Sequence, residues 1–197
     1  MPAFEQFFRD IDAGWKWPGE GKILLKVLGS AALMLQADYE RGTKDGDVLE
    51  TEQLDAETQE RLVGLAGRDS VLHTRHRVYI DIVMAAIPFL PQVPLWHSMP
   101  ELSASLSHFE VEVLDVVDVT VSKLKRFNAN DVSDIEAMVD RGLVLHDALI
   151  ERFRLSVDWF GMDARASEIP QYVKNLHRIE RDIYATDETE IELPGWI

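Results

Sequence analysis

Residues 22–37 read KILLKVLGSAALMLQA, an apolar run broken near its middle by Gly29–Ser30. Its longest apolar stretch, near 27–35, is too short to cross a bilayer, which takes about 20 apolar residues, as is the chain's other one near 82–91. The place of the run is therefore inside a folded domain. The glycine and serine divide it into a buried strand over 22–28 and a short buried helix over 31–37. A buried strand that feeds directly into a buried helix requires a sheet with helices packed on it.

The rest of the chain is read around that unit. Phe4, Phe7, Phe8 and Ile11 recur at helical spacing and predict an amphipathic helix over 3–15. Pro18, Gly19 and Gly21 predict a turn over 15–21. A loop at 41–44 leads to a short strand over 45–49, and a surface helix follows over 53–66. RVYIDIV at 77–83 is rich in β-branched residues and predicts a further strand. Pro88, Pro91, Pro94 and Pro100 punctuate a loop before a strand over 108–114. From 117 the pattern turns helical, with helices expected over 118–126, 131–141, 146–160 and 170–185. Trp159 and Phe160 are expected to pack this part, and the acidic tail DETEIELPGWI is expected to be loosely attached. The fold class is α/β (α+β): a small mixed sheet flanked by helices over 1–116, a helical part over 117–185, and a tail over 186–197.

Composition narrows the function. With 197 residues and 46% hydrophobic residues, the chain can build one core, or one core and a small helical appendage. Twenty basic against 35 acidic residues leave a net charge of −15, which excludes a general DNA or RNA binder. A locally basic site, or a small anion brought in with a metal, stays compatible with it. The absence of cysteine removes disulfides, thiolate zinc sites and cysteine nucleophiles. MPAFEQFFRD lacks the basic and apolar regions of a signal peptide, so a soluble, cytoplasmic protein without a membrane segment is expected.

Three pieces carry chemistry. At Gly29–Ser30 a glycine lets the backbone approach a ligand, and the following helix N-terminus offers N–H groups to phosphate. A plain strand-to-helix turn with Ser30 as its cap is the alternative. In RGTKDGDV, Asp45 and Asp47 fall on one face if 45–49 is a strand, because side chains alternate. Carboxylates about 7 Å apart at Cα repel each other unless a cation lies between them, and hard divalent ions take such ligands. Asp-Gly-Asp also suits a turn. Asp81 interrupts the apolar run Tyr79-Ile80-Asp81-Ile82-Val83, where a buried carboxylate needs a metal, or an arginine such as Arg75 or Arg77. Glu110 and Glu112 alternate with Phe109, Val111 and Val113, the pattern of a strand with one wet face, so Asp81 is preferred as the third carboxylate.

Strand–Gly-Ser–helix, a strand with Asp-x-Asp and a later strand with a third Asp resembles the nucleotidyltransferase fold of the DNA polymerase beta superfamily. Locally, GSAALML, RGTKDGDV, YIDIV…PFLP and SKLKRFNANDVSDI are similar to a bacterial branch of minimal nucleotidyltransferases. That branch is akin to abortive-infection-type nucleotidyltransferase toxins, and the resemblance spans roughly 20–150. It implies that Gly29 and Ser30 grip a nucleoside triphosphate, and that Asp45, Asp47 and Asp81 hold two Mg2+ (or Mn2+) ions. It further implies that Lys123, with Asp131 and Asp134 on the next helix, completes the site. Lys44 and Lys123 would offset triphosphate charge. An NMP group would pass to a hydroxyl on a small molecule, an RNA end or a protein. An antitoxin or a second copy of the chain is the protein partner class.

Gly46 departs from the aliphatic residue that this superfamily prefers between the two aspartates, and it is expected to weaken the strand and misplace a carboxylate. This residue favours the alternative of a catalytically inactive relative that acts as a nucleotide-binding or regulatory partner. Other features are ordinary. His73 and His76 lack an acidic third ligand in the same turn. SKLKR at 122–126 is a basic cluster on a helix face, and Arg178 with Asp182 has the spacing of a surface pair.

Overall fold

The computed structural model describes residues 3–16, 21–37, 39, 44–85, 87–193 and 195. In chain order the elements are α1 (Ala3–Gly14), β1 (Ile23–Leu28), α2 (Gly29–Gln36), β2 (Asp45–Leu49), α3 (Ala56–Ala66), α4 (Val71–His76), β3 (Tyr79–Val83), β4 (Trp96–Ser98), α5 (Pro100–Ala104) and β5 (Phe109–Leu114). Then come α6 (Val116–Arg126), α7 (Ala129–Asp140), α8 (His146–Phe160) and α9 (Ile169–Ile179). A 3-10 turn at Ala166–Glu168 precedes α9, and a π turn at Glu180–Tyr184 follows it. This is the expected mixed α/β fold with a helical C-terminal part. The turn expected at 15–21 and the loop expected at 41–44 fall largely outside the described residues.

The chain divides into two compact units. The first holds Met1–Ile87 and Trp96–Leu114, and the second holds Pro88–Leu95 and Asp115–Ile197. The segment 88–95, whose prolines read as a loop, belongs to the helical unit.

The first unit is a five-stranded mixed sheet in the order β3-β2-β1-β5-β4. β1 runs parallel to β5 and antiparallel to β2, and β2 runs parallel to β3. Leu25, Val27, Val48, Ile80, Phe109, Val111 and Val113 are buried on one face. α1 supplies Phe4, Phe7, Phe8 and Ile11, each at most 1% exposed, and Trp15, just beyond its end, has an edge-on ring 5.0 Å from Phe109. The opposite face carries alternate residues that stay half-buried or exposed, among them Lys26, Asp45, Asp47, Asp81, Glu110 and Glu112.

The second unit is helical. Phe89 sits among Phe153, Phe160 and Tyr172 with ring centroids 4.9–5.4 Å away. Phe160 is buried as expected, but Trp159 is 44% exposed, because it falls on the outer side of α8. The tail corrects a second expectation. Thr189 N–H donates to the buried Glu180 carboxylate, Arg154 donates to the Glu190 carbonyl, and His177 and Arg181 pair with Glu188. An acidic strand of chain is held where the helices offer it histidine and arginine.

Candidate functional site

β2 forms over Asp45–Leu49 with Gly46 and Val48 buried, so Asp45 and Asp47 occupy the other face together. The strand's weak point is filled from outside. A Cβ on Gly46 would lie 3.1 Å from Phe4 Cε1, so the α1 aromatic takes the volume that an aliphatic side chain would fill. The strand therefore forms through Gly46, and Asp45 and Asp47 share the face that strand alternation predicts.

The register brings in the third carboxylate. In the parallel pair of β2 with β3, Asp47 stands beside Asp81 and Asp45 beside Tyr79. In-register residues of parallel strands share a face, so Asp45, Asp47 and Asp81 lie on one side of the sheet. Asp81 is exposed, which corrects the expectation of a costly buried carboxylate. β3 is an edge strand and this face is not sealed, so water hydrates the carboxylate. Of the two arginines expected as structural partners for Asp81, Arg75 instead pairs with Asp10 on α1 at 3.0 Å. Glu112 shares the aspartate face but lies two strands from β2 and pairs with Lys26 at 3.6 Å.

Gly29 completes the arrangement on the other side of β2. Leu28 pairs with Asp47 at the end of β1, and the chain turns into α2 through Gly29 at φ +66°. A Cβ at Gly29 would lie 2.4 Å from Asp47 Oδ2, so the carboxylate packs directly on the glycine backbone. Any side chain here would displace it, and the left-handed conformation disfavours one as well. Leu28, at the N-cap of α2, has no capping side-chain bond, and Ser30 is half-buried in the first turn. Lys44 is exposed and stands one residue out of phase with the aspartates.

The donor chemistry of this face suits a hard cation: three carboxylates on adjacent strands, and a glycine cradle against one of them. In the side-chain positions of the structure, no group of three or more His, Asp or Glu is drawn tightly enough to hold a metal ion among the described residues.

Lys123, Asp131 and Asp134 are also brought together, within the helical unit. Lys123 Nζ lies 3.1 Å from Asp131 and 2.7 Å from Asp134, and all three are at most 5% exposed. Asp131 also takes two bonds from Arg126 and closes the α7 capping box with Asn128. Burial pushes the Asp131 carboxyl up, but Arg126 and Lys123 outweigh it and hold it below its ordinary range. The sequence reading missed a similar group: buried Asp118 accepts from Arg152 at 2.6 Å and from Leu95 N–H at 2.7 Å. It also missed Arg68 against Tyr79, a contact across 11 residues with no local spacing to announce it. The Asn128-x-x-Asp131 capping spacing was a usable signal that Asp131 is structural.

A family model described as a nucleotidyltransferase of unknown function (DUF6036) matches residues 18–179. No curated protein and no solved structure matches the chain. Among the described residues no helix is long and apolar enough to cross a membrane.

Proposed function

Because the chain belongs to this nucleotidyltransferase family, we propose that it moves an NMP group from a nucleoside triphosphate to a hydroxyl acceptor, with Asp45, Asp47 and Asp81 holding two Mg2+ or Mn2+ ions. The observation that carries this reading is the register Asp47–Asp81, with Asp45 on the same face and Gly29 against Asp47. Bound there, the ions would neutralise phosphate charge and acidify the acceptor hydroxyl.

The chain's own residues have distinct parts. Gly29 lets Asp47 and a phosphate approach the same backbone, and Ser30 with the first turn of α2 binds the β- and γ-phosphates. Asp81, at the solvated edge, accepts the proton of the acceptor hydroxyl. The acceptor oxygen forms a bond to the α-phosphorus as the bond to the bridging oxygen breaks, and pyrophosphate leaves. Lys44 offsets triphosphate charge, and Lys123 takes the lesser part because Asp131 and Asp134 hold it. The resemblance to abortive-infection-type toxins makes a toxin–antitoxin or defence pair the setting we propose.

Incubation with each common ribonucleoside triphosphate, labelled at the α-phosphate, in Mg2+ or Mn2+ tests this. Small hydroxyl compounds, RNA and the protein itself serve as acceptors. Label transfer with equal pyrophosphate release is expected. Failure of every triphosphate to bind or to release pyrophosphate overturns the proposal.

A further inference from the structure

Arg68 lies in the turn between α3 and α4, and it is exposed. Its Nη2 donates to the Tyr79 hydroxyl at 2.7 Å, and its guanidinium carbon lies 4.8 Å from the centre of the Tyr79 ring. The His73 ring meets Tyr79 edge-on at 5.1 Å, and His73 Nδ1 accepts from Asp69 N–H at 2.9 Å. The remaining His73 ring nitrogen therefore carries the proton in the neutral ring. Tyr79 itself is 9% exposed, so the ring that holds Arg68 is fixed by packing.

Two features bear on this arginine. First, its side-chain partner is the Tyr79 hydroxyl and ring, whereas Arg61 pairs with Glu57 and Arg75 with Asp10. Second, Arg68 is held by the residue that stands beside Asp45 in the sheet, on the aspartate face. A guanidinium has five N–H donors and one is used by Tyr79, which leaves a fork suited to two oxygens of a phosphate.

The position also says which phosphate. Gly29 adjoins Asp47 from the β1 side of β2, and Tyr79 adjoins Asp45 from the β3 side. The two flank the carboxylates from opposite sides. If the triphosphate lies along Gly29–Ser30, Tyr79 and the Arg68 it holds lie across β2 from it, on the side left for the acceptor.

We propose that Arg68, positioned by Tyr79, is an anion-binding residue that takes a phosphoryl group carried by the acceptor. This rests on the nucleotidyltransferase reading for the word acceptor, and on the geometry alone for the anion site.

The test uses the full chain with labelled arginine side chains, observing the Arg68 Nε–H signal by NMR. The signal is assigned by its loss in Arg68→Lys. The probe is inorganic phosphate, titrated alone and then with saturating Mg2+ and a non-hydrolysable triphosphate. The Arg68 signal is expected to move with phosphate in both titrations, and not with the nucleotide alone. Phosphate half-saturation, read at the Arg68 signal, is expected to weaken about fivefold in Tyr79→Phe, which keeps the ring but frees the guanidinium. An Arg68 signal unmoved by phosphate overturns the proposal. A signal moved by nucleotide alone also overturns it and assigns Arg68 to the triphosphate. If no nucleotide binds at all, the nucleotidyltransferase reading fails, while the phosphate titration still decides the anion site.

Discussion

The two units treat their acids in opposite ways. In the helical unit Asp118, Asp131, Asp134 and Glu180 are at most 1% exposed, and each meets a cation of the same chain or a histidine. On the sheet Asp45 and Asp47 are half-buried, Asp81 is exposed, and the three are carried side by side on one face. A buried carboxylate without its partner costs several kcal/mol, so the first set is bound into the fold. Like charges placed together at a solvated face cost less, but they add nothing to stability by themselves. The first pattern is what folding selects, and the second is the one that the proposed metal site would use.

The largest expected effect breaks the comparison at the sheet. Asp47→Asn should lower transferase activity by about 10³-fold, the several kcal/mol that metal-held charge contributes to such a transition state. Its melting temperature without ligand should stay or rise, since repulsion is relieved. Steady-state pyrophosphate release together with a melting curve checks both halves. Unfolding of this variant would move Asp47 into the structural class.

Asp134→Ala is the mirror experiment. It leaves Lys123 buried with half of its partners, and a loss of about 3–5 kcal/mol is expected in urea unfolding. Triphosphate affinity at a concentration where the variant is folded should be unchanged. A weakened affinity with full stability would make this helical cluster part of the binding machinery.

Gly29→Ala sharpens the boundary between the classes. The added Cβ meets Asp47 Oδ2, and the φ of +66° strains any L residue by about 1–2 kcal/mol. A modest loss of stability with a disproportionate loss of activity is expected. Equal losses in both would make the glycine only a turn residue.

The smallest effect is on acid stability. Burial raises the Glu180 carboxyl, but bonds from Thr189 and His146 outweigh it and hold it below its ordinary range. Asp131 is likewise held below 3.8. Groups with depressed folded values stabilise the fold above their unfolded values, and that stability is lost as pH falls through them. Denaturant midpoints should therefore fall between about pH 5 and pH 3, a window set by these ordinary values. Asp131→Asn should flatten that slope.

Much of this was legible in the sequence where a pattern is local. The Gly29 break, the alternation around Asp45 and Asp47, and the helices after 117 are set by neighbours within a few residues. Asp81 was picked out for a reason that fails, since no burial forces its partner, and what places it beside Asp47 is strand register. Register, like the edge position of β3, belongs to the whole sheet and leaves no mark in a single segment. α4 and α5 were missed because helices of six and five residues show too little periodicity. Gly46 looked like a defect because its compensation, Phe4, lies more than forty positions away.

The central claim is that the sheet carboxylates exist for a metal-bound triphosphate. It is tested most directly by melting the wild-type chain and Asp47→Asn with each common nucleoside triphosphate in millimolar Mg2+ or Mn2+. For at least one triphosphate, the wild type should gain about 2.7 kcal/mol at a hundredfold excess over the dissociation constant. Asp47→Asn should gain nothing. A wild-type curve that no metal–triphosphate pair moves, or an equal gain in Asp47→Asn, would contradict it.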